Sequence, residues 1–147
     1  MARRQGAEVV NFEQEDPVET ILQLTGGIGV DRVIDAVGVD AMHAHRGPAA
    51  EQAKQTEQQF RQQRQEVAPE QNLHDGKWVP GDAPGQALQW TVGAVAKAGT
   101  IGIIGVYPPQ AHSFPIGETM NKNLTVKAGN CRTGATCQCW WTWCAPG

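Results

Sequence analysis

Two short segments rich in β-branched residues constrain the fold of this chain more than any other feature. They run from Gly29 to Gly38 and from Gly99 to Pro108, and each carries glycine near its end. Such runs are typical of buried parallel strands, and glycine at a strand end lets a flat ligand approach the backbone closely. A helical pattern over residues 86–98 leads into the second segment. The sequence therefore predicts a β–α–β unit in an open α/β sheet.

The rest of the pattern indicates how the chain is organised around these strands. Asp16 is a suitable N-cap and Pro17 a suitable first helical residue, and a glycine pair ends the helix that they begin. A polar helix with seven glutamines is predicted over 49–66, inside an insertion of about residues 40–85. Strands are predicted over 6–12, 30–37, 100–106 and 123–127.

Length and composition exclude several classes of function. The chain has 147 residues, enough for one domain, and a net charge of −3 that offers no basic face to nucleic acid. No apolar stretch reaches the roughly 20 residues that span a bilayer. The first residues include two arginines but no apolar segment behind them, unlike a secretory signal. We therefore expect a cytoplasmic protein that binds neither nucleic acid nor membrane.

Residues 132–147 depart from this pattern. They hold three of the five tryptophans and three of the four cysteines, without periodicity. Reading their codons shifted by one base yields an ordinary amphipathic helix, so we hypothesise a frame slip near residue 132, which resequencing the DNA would test. The four cysteines, Cys131, Cys137, Cys139 and Cys144, do not form the C-x2-C pairs that structural zinc sites favour.

The polar residues of the predicted strand ends and loops suggest no catalytic machinery. Asp35 ends a predicted buried strand, and we expect it to accept hydrogen bonds from loop amides rather than to act in catalysis. His43 and His45 do not line up on a helix, and a solvated loop is favoured over a metal-binding pair. His74 and His112 are isolated in the sequence and are expected to be exposed. No catalytic residue and no metal ligand is predicted.

Four segments together resemble the cofactor domain of the zinc-dependent, medium-chain alcohol dehydrogenases. They are residues 6–12, 29–38, 99–107 and 114–130. The subgroup that holds the glutathione-independent formaldehyde dehydrogenases is the most similar, since it carries an insertion where residues 40–85 lie. The resemblance covers residues 1–131 and implies a partial NAD-binding Rossmann domain, followed by the irregular tail.

The resemblance implies a fold, a reaction and two cofactors. The fold is α/β, a partial Rossmann-type parallel sheet that holds only the later strands. The family transfers a hydride between an alcohol, or hydrated formaldehyde, and a nicotinamide cofactor, with zinc as Lewis acid in another domain. The Gly-rich pyrophosphate fingerprint is absent, because the Gly26-Gly27-x-Gly29 motif precedes a strand instead of following one. The choice between NAD and NADP stays open.

Eight residues would face the cofactor if the resemblance holds. Ala36, Val37 and Gly38 would lie along the nicotinamide-side ribose, Gly105 and Val106 would offer backbone groups to the carboxamide, and Ala128, Gly129 and Asn130 would close the site. All lie at or just beyond the carboxyl ends of predicted strands, where ligands of open α/β sheets bind. The alternative is that these glycines serve only tight turns.

The leading interpretation is a fragment of an NAD-dependent, zinc-containing alcohol or aldehyde dehydrogenase that is inactive by itself. The parent enzyme would act on a small alcohol or aldehyde and form homo-oligomers, as the family implies. Two alternatives remain open. One is the cofactor domain of a zinc-free quinone oxidoreductase, and the other is a non-catalytic nucleotide-binding module.

Overall fold

A three-stranded parallel sheet organises this chain in the computed structural model, which describes residues 2–68 and 79–129. The helices are α1 (Pro17–Leu24), α2 (Pro48–Val67), α3 (Gln86–Ala94) and α4 (Ile116–Asn121), and the strands are β1 (Val30–Asp35), β2 (Val95–Ile103) and β3 (Thr125–Ala128). Single 3-10 turns lie at Ala2–Gln5 and Gly38–Asp40. No helix of the described ranges is long and apolar enough to cross a bilayer.

The strand order is β1-β2-β3, with β2 in the centre and both neighbours parallel to it. Val33, Ile101 and Val126 share one level of the register. Consecutive parallel strands need a crossover, which α2 and α3 supply between the first two strands and α4 between the last two. The predicted α/β class with a partial Rossmann-like parallel sheet is therefore confirmed.

The core lies between α3 and one face of the sheet. Val92, Val95 and Ile101 form a fully buried cluster, against which Val33 and Ile103 pack. Gly93 lets α1 approach α3, since a Cβ there would stand 3.2 Å from the side chain of Val18. β-Branched side chains suit this packing because they fit the pleated surface with little loss of rotamer freedom.

The beginning of α1 agrees with the sequence prediction. The Asp16 carboxylate accepts hydrogen bonds from the amides of Val18 and Glu19 at 2.8 and 3.0 Å, and Pro17 is the first helical residue. These bonds satisfy two of the amides that a helix start leaves without partners. Gly26 and Gly27 follow the helix with positive φ. The predicted polar helix over 49–66 is also confirmed as α2.

The predicted strand over 6–12 is wrong. Residues 7–11 have no regular structure and pair with no strand of the described chain. A strand requires a neighbour for its backbone hydrogen bonds, and no strand of residues 2–68 and 79–129 lies beside this segment. Phe12 packs instead against the buried cluster of Ala44, Ala49 and Ala50, and its ring centroid lies 5.6 Å from that of Trp90.

The predicted helix over 86–98 is too long. It ends at Ala94, and Val95 already has an extended backbone that begins β2. Val95 and Ala96 are buried, so pairing with β1 and core packing override helix propensity there. Ala98 takes a positive φ of 59°, and the register of β1 against β2 shifts between Val30 and Arg32.

The ends of the strands also differ from prediction. The strands predicted to reach residues 37 and 106 end at Asp35 and Ile103, because the chain turns there into loops. The last strand begins at Thr125, after Asn123 takes a positive φ. Lys97 is exposed, whereas Lys122 Nζ donates to the Val92 carbonyl at the end of α3.

Candidate functional site at the carboxyl ends of the strands

A buried carboxylate ties together the ends of β1 and β2. Asp35 Oδ1 accepts hydrogen bonds from the amides of Val37 and Gly38 at 2.9 and 3.1 Å, as predicted for this residue. Its Oδ2 accepts a 2.6 Å bond from the Tyr107 hydroxyl, which the sequence did not predict. The Asp35 carbonyl also accepts the amides of Ile104 and Gly105, both at 2.9 Å. The carboxylate thus holds the loop after β1 against the loop after β2.

Tyr107 is a proton donor that does not ionise under ordinary conditions. Burial of the phenol raises its pKa far above the ordinary value, and the hydrogen bond to Asp35 and the negative charge of that carboxylate raise it further. The hydroxyl therefore stays protonated and keeps donating to Asp35. Because its proton is committed to a structural bond, Tyr107 is unsuited to general acid–base work near neutral pH.

Gly38 and Gly105 are needed where the two loops cross. Gly38 has a φ of +68°, and a Cβ there would stand 2.4 Å from the carbonyl oxygen of Val106. A Cβ on Gly105 would stand 2.3 Å from the Gly38 nitrogen. The amide of Val39 donates to the Val106 carbonyl at 3.1 Å across the same crossing. The close crossing of the two loops therefore requires glycine at both positions, whether or not a ligand binds beside them.

The structure brings most of the eight predicted cofactor residues to this edge. Ala36, Val37 and Val106 are exposed there, and Val106 is 67% exposed. Ala128 ends β3 and lines a neighbouring cavity. Gly129 has an open flank, with no atom within 4 Å of the place a Cβ would take. Asn130, Cys131 and the tail over 132–147 lie outside the described residues, as does His74.

A cavity of about 210 Å³ lies beside the strand ends, between α2 and α3. Its wall is mostly apolar and includes Val67, Leu88, Ile103 and Phe114. Ligand sites commonly combine such walls with a few placed polar groups. Residues of α2, the polar helix of the insertion, form one side of this cavity. The helix therefore borders the region where a ligand of this sheet would bind.

Gln63 supplies an unsatisfied polar group at this cavity. The residue is 4% exposed, and its Oε1 accepts the amide of Gly85 at 3.1 Å. Its Nε2 is buried and finds no hydrogen-bond acceptor in the described residues. The Gly85 amide needs an acceptor, which fixes the orientation of the side-chain amide. Both N–H donors of Nε2 therefore remain for a ligand or water. In the sequence, nothing distinguishes Gln63 from the neighbouring glutamines.

A comparison with known proteins finds a relative that most of this chain matches. The chain is 33% identical over 128 residues to the uncharacterized zinc-type alcohol dehydrogenase-like protein AdhB of Bacillus subtilis (strain 168). The alignment covers 86% of this chain but 27% of the relative, so the chain spans about a quarter of that protein's length. No protein-family model matches the chain. The homologue supports the zinc-type alcohol dehydrogenase family and leaves the formaldehyde dehydrogenase subgroup an expectation.

Proposed function

We propose that this chain forms the nicotinamide-facing part of the cofactor domain of an NAD-dependent, zinc-type alcohol or aldehyde dehydrogenase. The observation that carries the proposal is the convergence of the β1, β2 and β3 carboxyl ends at one edge of a parallel sheet. Dinucleotides bind outside such edges. The similarity to a zinc-type alcohol dehydrogenase-like protein supports the interpretation of this fold as part of a cofactor domain.

The residues at this edge fit a flat, partly apolar ligand. Val37 and Val106 expose apolar side chains on adjacent loops, and exposed apolar groups that cluster commonly mark binding surfaces. Gly129 leaves room for close approach to the backbone. In this proposal, the nicotinamide-side ribose lies along Ala36–Gly38 and the carboxamide meets the backbone of Gly105 and Val106. When bound, the nicotinamide supplies hydride acceptance and donation.

The chain's own residues place the cofactor and do no acid–base chemistry in this proposal. Asp35 fixes the amides of Val37 and Gly38, so the loop beside the ribose is preorganised before a ligand arrives. Tyr107 secures that carboxylate from the β2 side. The zinc and its ligands belong to the parent enzyme and not to these residues. We expect the chain alone to be inactive toward a primary alcohol or hydrated formaldehyde, the substrates proposed for the parent.

A fragment of the cofactor tests this assignment better than whole NAD. We propose to titrate the 15N-labelled full chain with nicotinamide mononucleotide and to follow its amide resonances, with adenosine monophosphate as the matched control ligand. Nicotinamide mononucleotide should shift the amides of residues 36–38, 105–106 and 128–129. Adenosine monophosphate should leave them unchanged. Shifts by both ligands at the same amides, or by neither, would contradict the proposal.

A substitution of Gly129 tests whether this glycine contacts the ligand or serves only to form a turn. A Cβ at this position meets no atom within 4 Å, so Gly129→Leu should keep the fold while blocking the approach of the nicotinamide. Gly117→Leu is the control, because a Cβ at this exposed glycine of α4 also meets nothing within 4 Å. The shifts caused by nicotinamide mononucleotide should disappear in the first variant and persist in the second. Equal shifts in both would leave Gly129 without a role in binding.

A further inference from the structure

A cluster of two histidines and one carboxylate lies in a second cleft, of about 320 Å³, on another side of α2. Its members are His43, His45 and Asp82. This cleft shares no lining residue with the cavity at the strand ends. It is therefore separate from the site proposed for the nicotinamide.

The side chains of the cluster are close enough to share one ion. His43 Nδ1 lies 3.0 Å from Asp82 Oδ2, and the ring centroids of His43 and His45 are 4.4 Å apart. One potential ligand atom from each residue lies within 4.8 Å of the other two. Ligands bound at about 2.0 Å in a tetrahedral site are about 3.3 Å apart. Small side-chain rotations would thus bring the three atoms to coordinating distances.

The local backbone explains why two residues predicted to lie in a solvated loop come together. Ala44 is buried with Ala49 and Ala50, and the histidines on either side of it line the cleft. The amide of His43 donates to Asp82 Oδ1 at 2.9 Å, and the amide of His45 donates to Glu13 Oε1 at 3.1 Å. These bonds join segments far apart in the chain and hold the cluster in place before any ion arrives.

We propose that His43, His45 and Asp82 bind a first-row divalent transition metal ion, for which Zn²⁺ is the representative. Two imidazole nitrogens and one carboxylate oxygen suit such an ion, and three protein ligands leave a fourth position for water. His43 and Asp82 are partly buried, while His45 is exposed and free to rotate onto the ion. Hard cations such as Mg²⁺ disfavour imidazole and would not compete.

The charges around the cleft allow a cation. Lys54, Arg61 and Arg64 line it and by themselves would favour an anion. However, Arg61 pairs with Glu57 and Lys54 pairs with Glu51, so two of these positive charges are offset. The Asp82 carboxylate lies within the cluster itself, whereas the lysine and arginines stand around it. Binding of an anion such as orthophosphate is the competing outcome of the test.

The experiment is a metal titration of the full chain. Cobalt(II) is added to the protein while its ligand-field absorption is followed, and Zn²⁺ is then used to displace it. All samples carry serine at the four cysteines, so that thiolates contribute nothing. We expect one equivalent of Co²⁺ to bind and Zn²⁺ to displace it, with no displacement by excess Mg²⁺. A rise in melting temperature with Zn²⁺ should accompany binding, since the ion binds the folded state.

Substitution of the ligands locates the ion. The paired variant His43→Ala/His45→Ala should weaken binding by at least about 100-fold, because even the loss of a group outside the ligand shell costs 10–100-fold. Asp82→Asn keeps an oxygen for the His43 amide but loses the charge, and should also weaken binding. His112 lies outside the cluster, so His112→Ala should bind the metal as tightly as the chain that keeps all its histidines. Circular dichroism spectra of all variants report whether they remain folded.

Three results would overturn the proposal. The first is that the chain with both histidines and Asp82 does not bind one equivalent of Co²⁺. The second is that the folded paired variant binds Co²⁺ with unchanged affinity. The third is a melting temperature that orthophosphate raises and Zn²⁺ does not. None of these depends on nicotinamide binding, so the metal site and the proposed cofactor site fail or stand independently.

Discussion

The two faces of the sheet differ although the same residue types build both. Ile101 on β2 is fully buried against α3, whereas Ile34 on β1 is 70% exposed and lies beside Gly102. Both are isoleucines in strands of the same pattern. The crossover from β1 to β2 places α3 on one face, and nothing in the described residues covers Ile34 on the other. The comparison teaches that a β-branched run indicates a strand but not which of its faces is covered.

The largest expected effect distinguishes these two isoleucines directly. Ile101→Ala should lower the free energy of unfolding by about 2–5 kcal/mol, because it removes fully buried atoms and leaves a cavity. Ile34→Ala should change it by less than about 0.5 kcal/mol, since its side chain is already in water. Urea denaturation followed by circular dichroism measures both. Similar losses would mean that the open face is covered in solution, for instance by a second copy.

A pair of glycines sharpens the same contrast at the strand ends. Gly38→Ala should cost at least about 2 kcal/mol, since a positive φ is unfavourable for alanine by about 1–2 kcal/mol and the Cβ also meets the Val106 carbonyl. Gly102→Ala on the open face should be nearly neutral, because its Cβ would meet only ordinary contacts, the nearest being Ile34 at 3.8 Å. Urea midpoints again give the comparison. A neutral Gly38→Ala would refute the close crossing of the two loops.

The buried bond between Tyr107 and Asp35 should contribute less than the core does. Tyr107→Phe leaves Asp35 with its two amide donors but removes the third, so we expect a loss of about 1.5–2 kcal/mol, the lower part of the range for hydrogen bonds to charged groups. Chemical denaturation at neutral pH measures it. An unchanged free energy of unfolding would show that this hydroxyl is solvated as well in the folded chain as in the unfolded one.

The same bond predicts a dependence of stability on pH. The pKa of Tyr107 is raised in the folded state, so its contribution is fully present below the unfolded pKa of 10.0 and is lost as pH rises above that value. Tyr107 is the only tyrosine in the sequence, so phenolate absorbance on unfolding reports this group alone. Tyr107→Phe should lose stability less steeply between pH 10 and 11. Equal slopes would contradict the raised pKa.

The smallest expected effect concerns the end of α3, which supports the covered face. Lys122 Nζ donates to the carbonyls of Val92 and Gly93 at 2.6 and 3.0 Å. Lys122→Met should cost about 1 kcal/mol, in the range for a cation at a helix C-terminus. Lys97→Met should have almost no effect, since Lys97 is exposed and makes no such bond. Thermal melts of the two variants decide whether Lys122 or Lys97 stabilises the helix end.

Local signals predicted α1, α2 and the existence of the three strands. Asp16 and Pro17 identify a helix start because the cap bonds involve neighbouring residues. The strand predicted over 6–12 failed because a strand depends on a partner distant in sequence. The end of α3 failed for the same reason, since Val95 pairs with Val30 and not with residues beside it.

The candidate site was predicted in outline only. Residues placed at strand ends, such as Val37 and Val106, do gather at one edge, because parallel strands end together. Their contact with a cofactor stays a proposal. Gln63 and the cluster of His43, His45 and Asp82 were missed, because they contact residues up to 39 positions away along the chain.

The sequence by itself determined α1, α2 and the existence of β1, β2 and β3, because capping, turn and β-branched preferences act between near neighbours. Only the tertiary structure decided which face of the sheet is buried, which lysine donates to the carbonyls at the end of α3 and which side chains meet across the loops. Those outcomes depend on the packing of residues that are distant along the chain, and no local preference encodes where such residues come to lie.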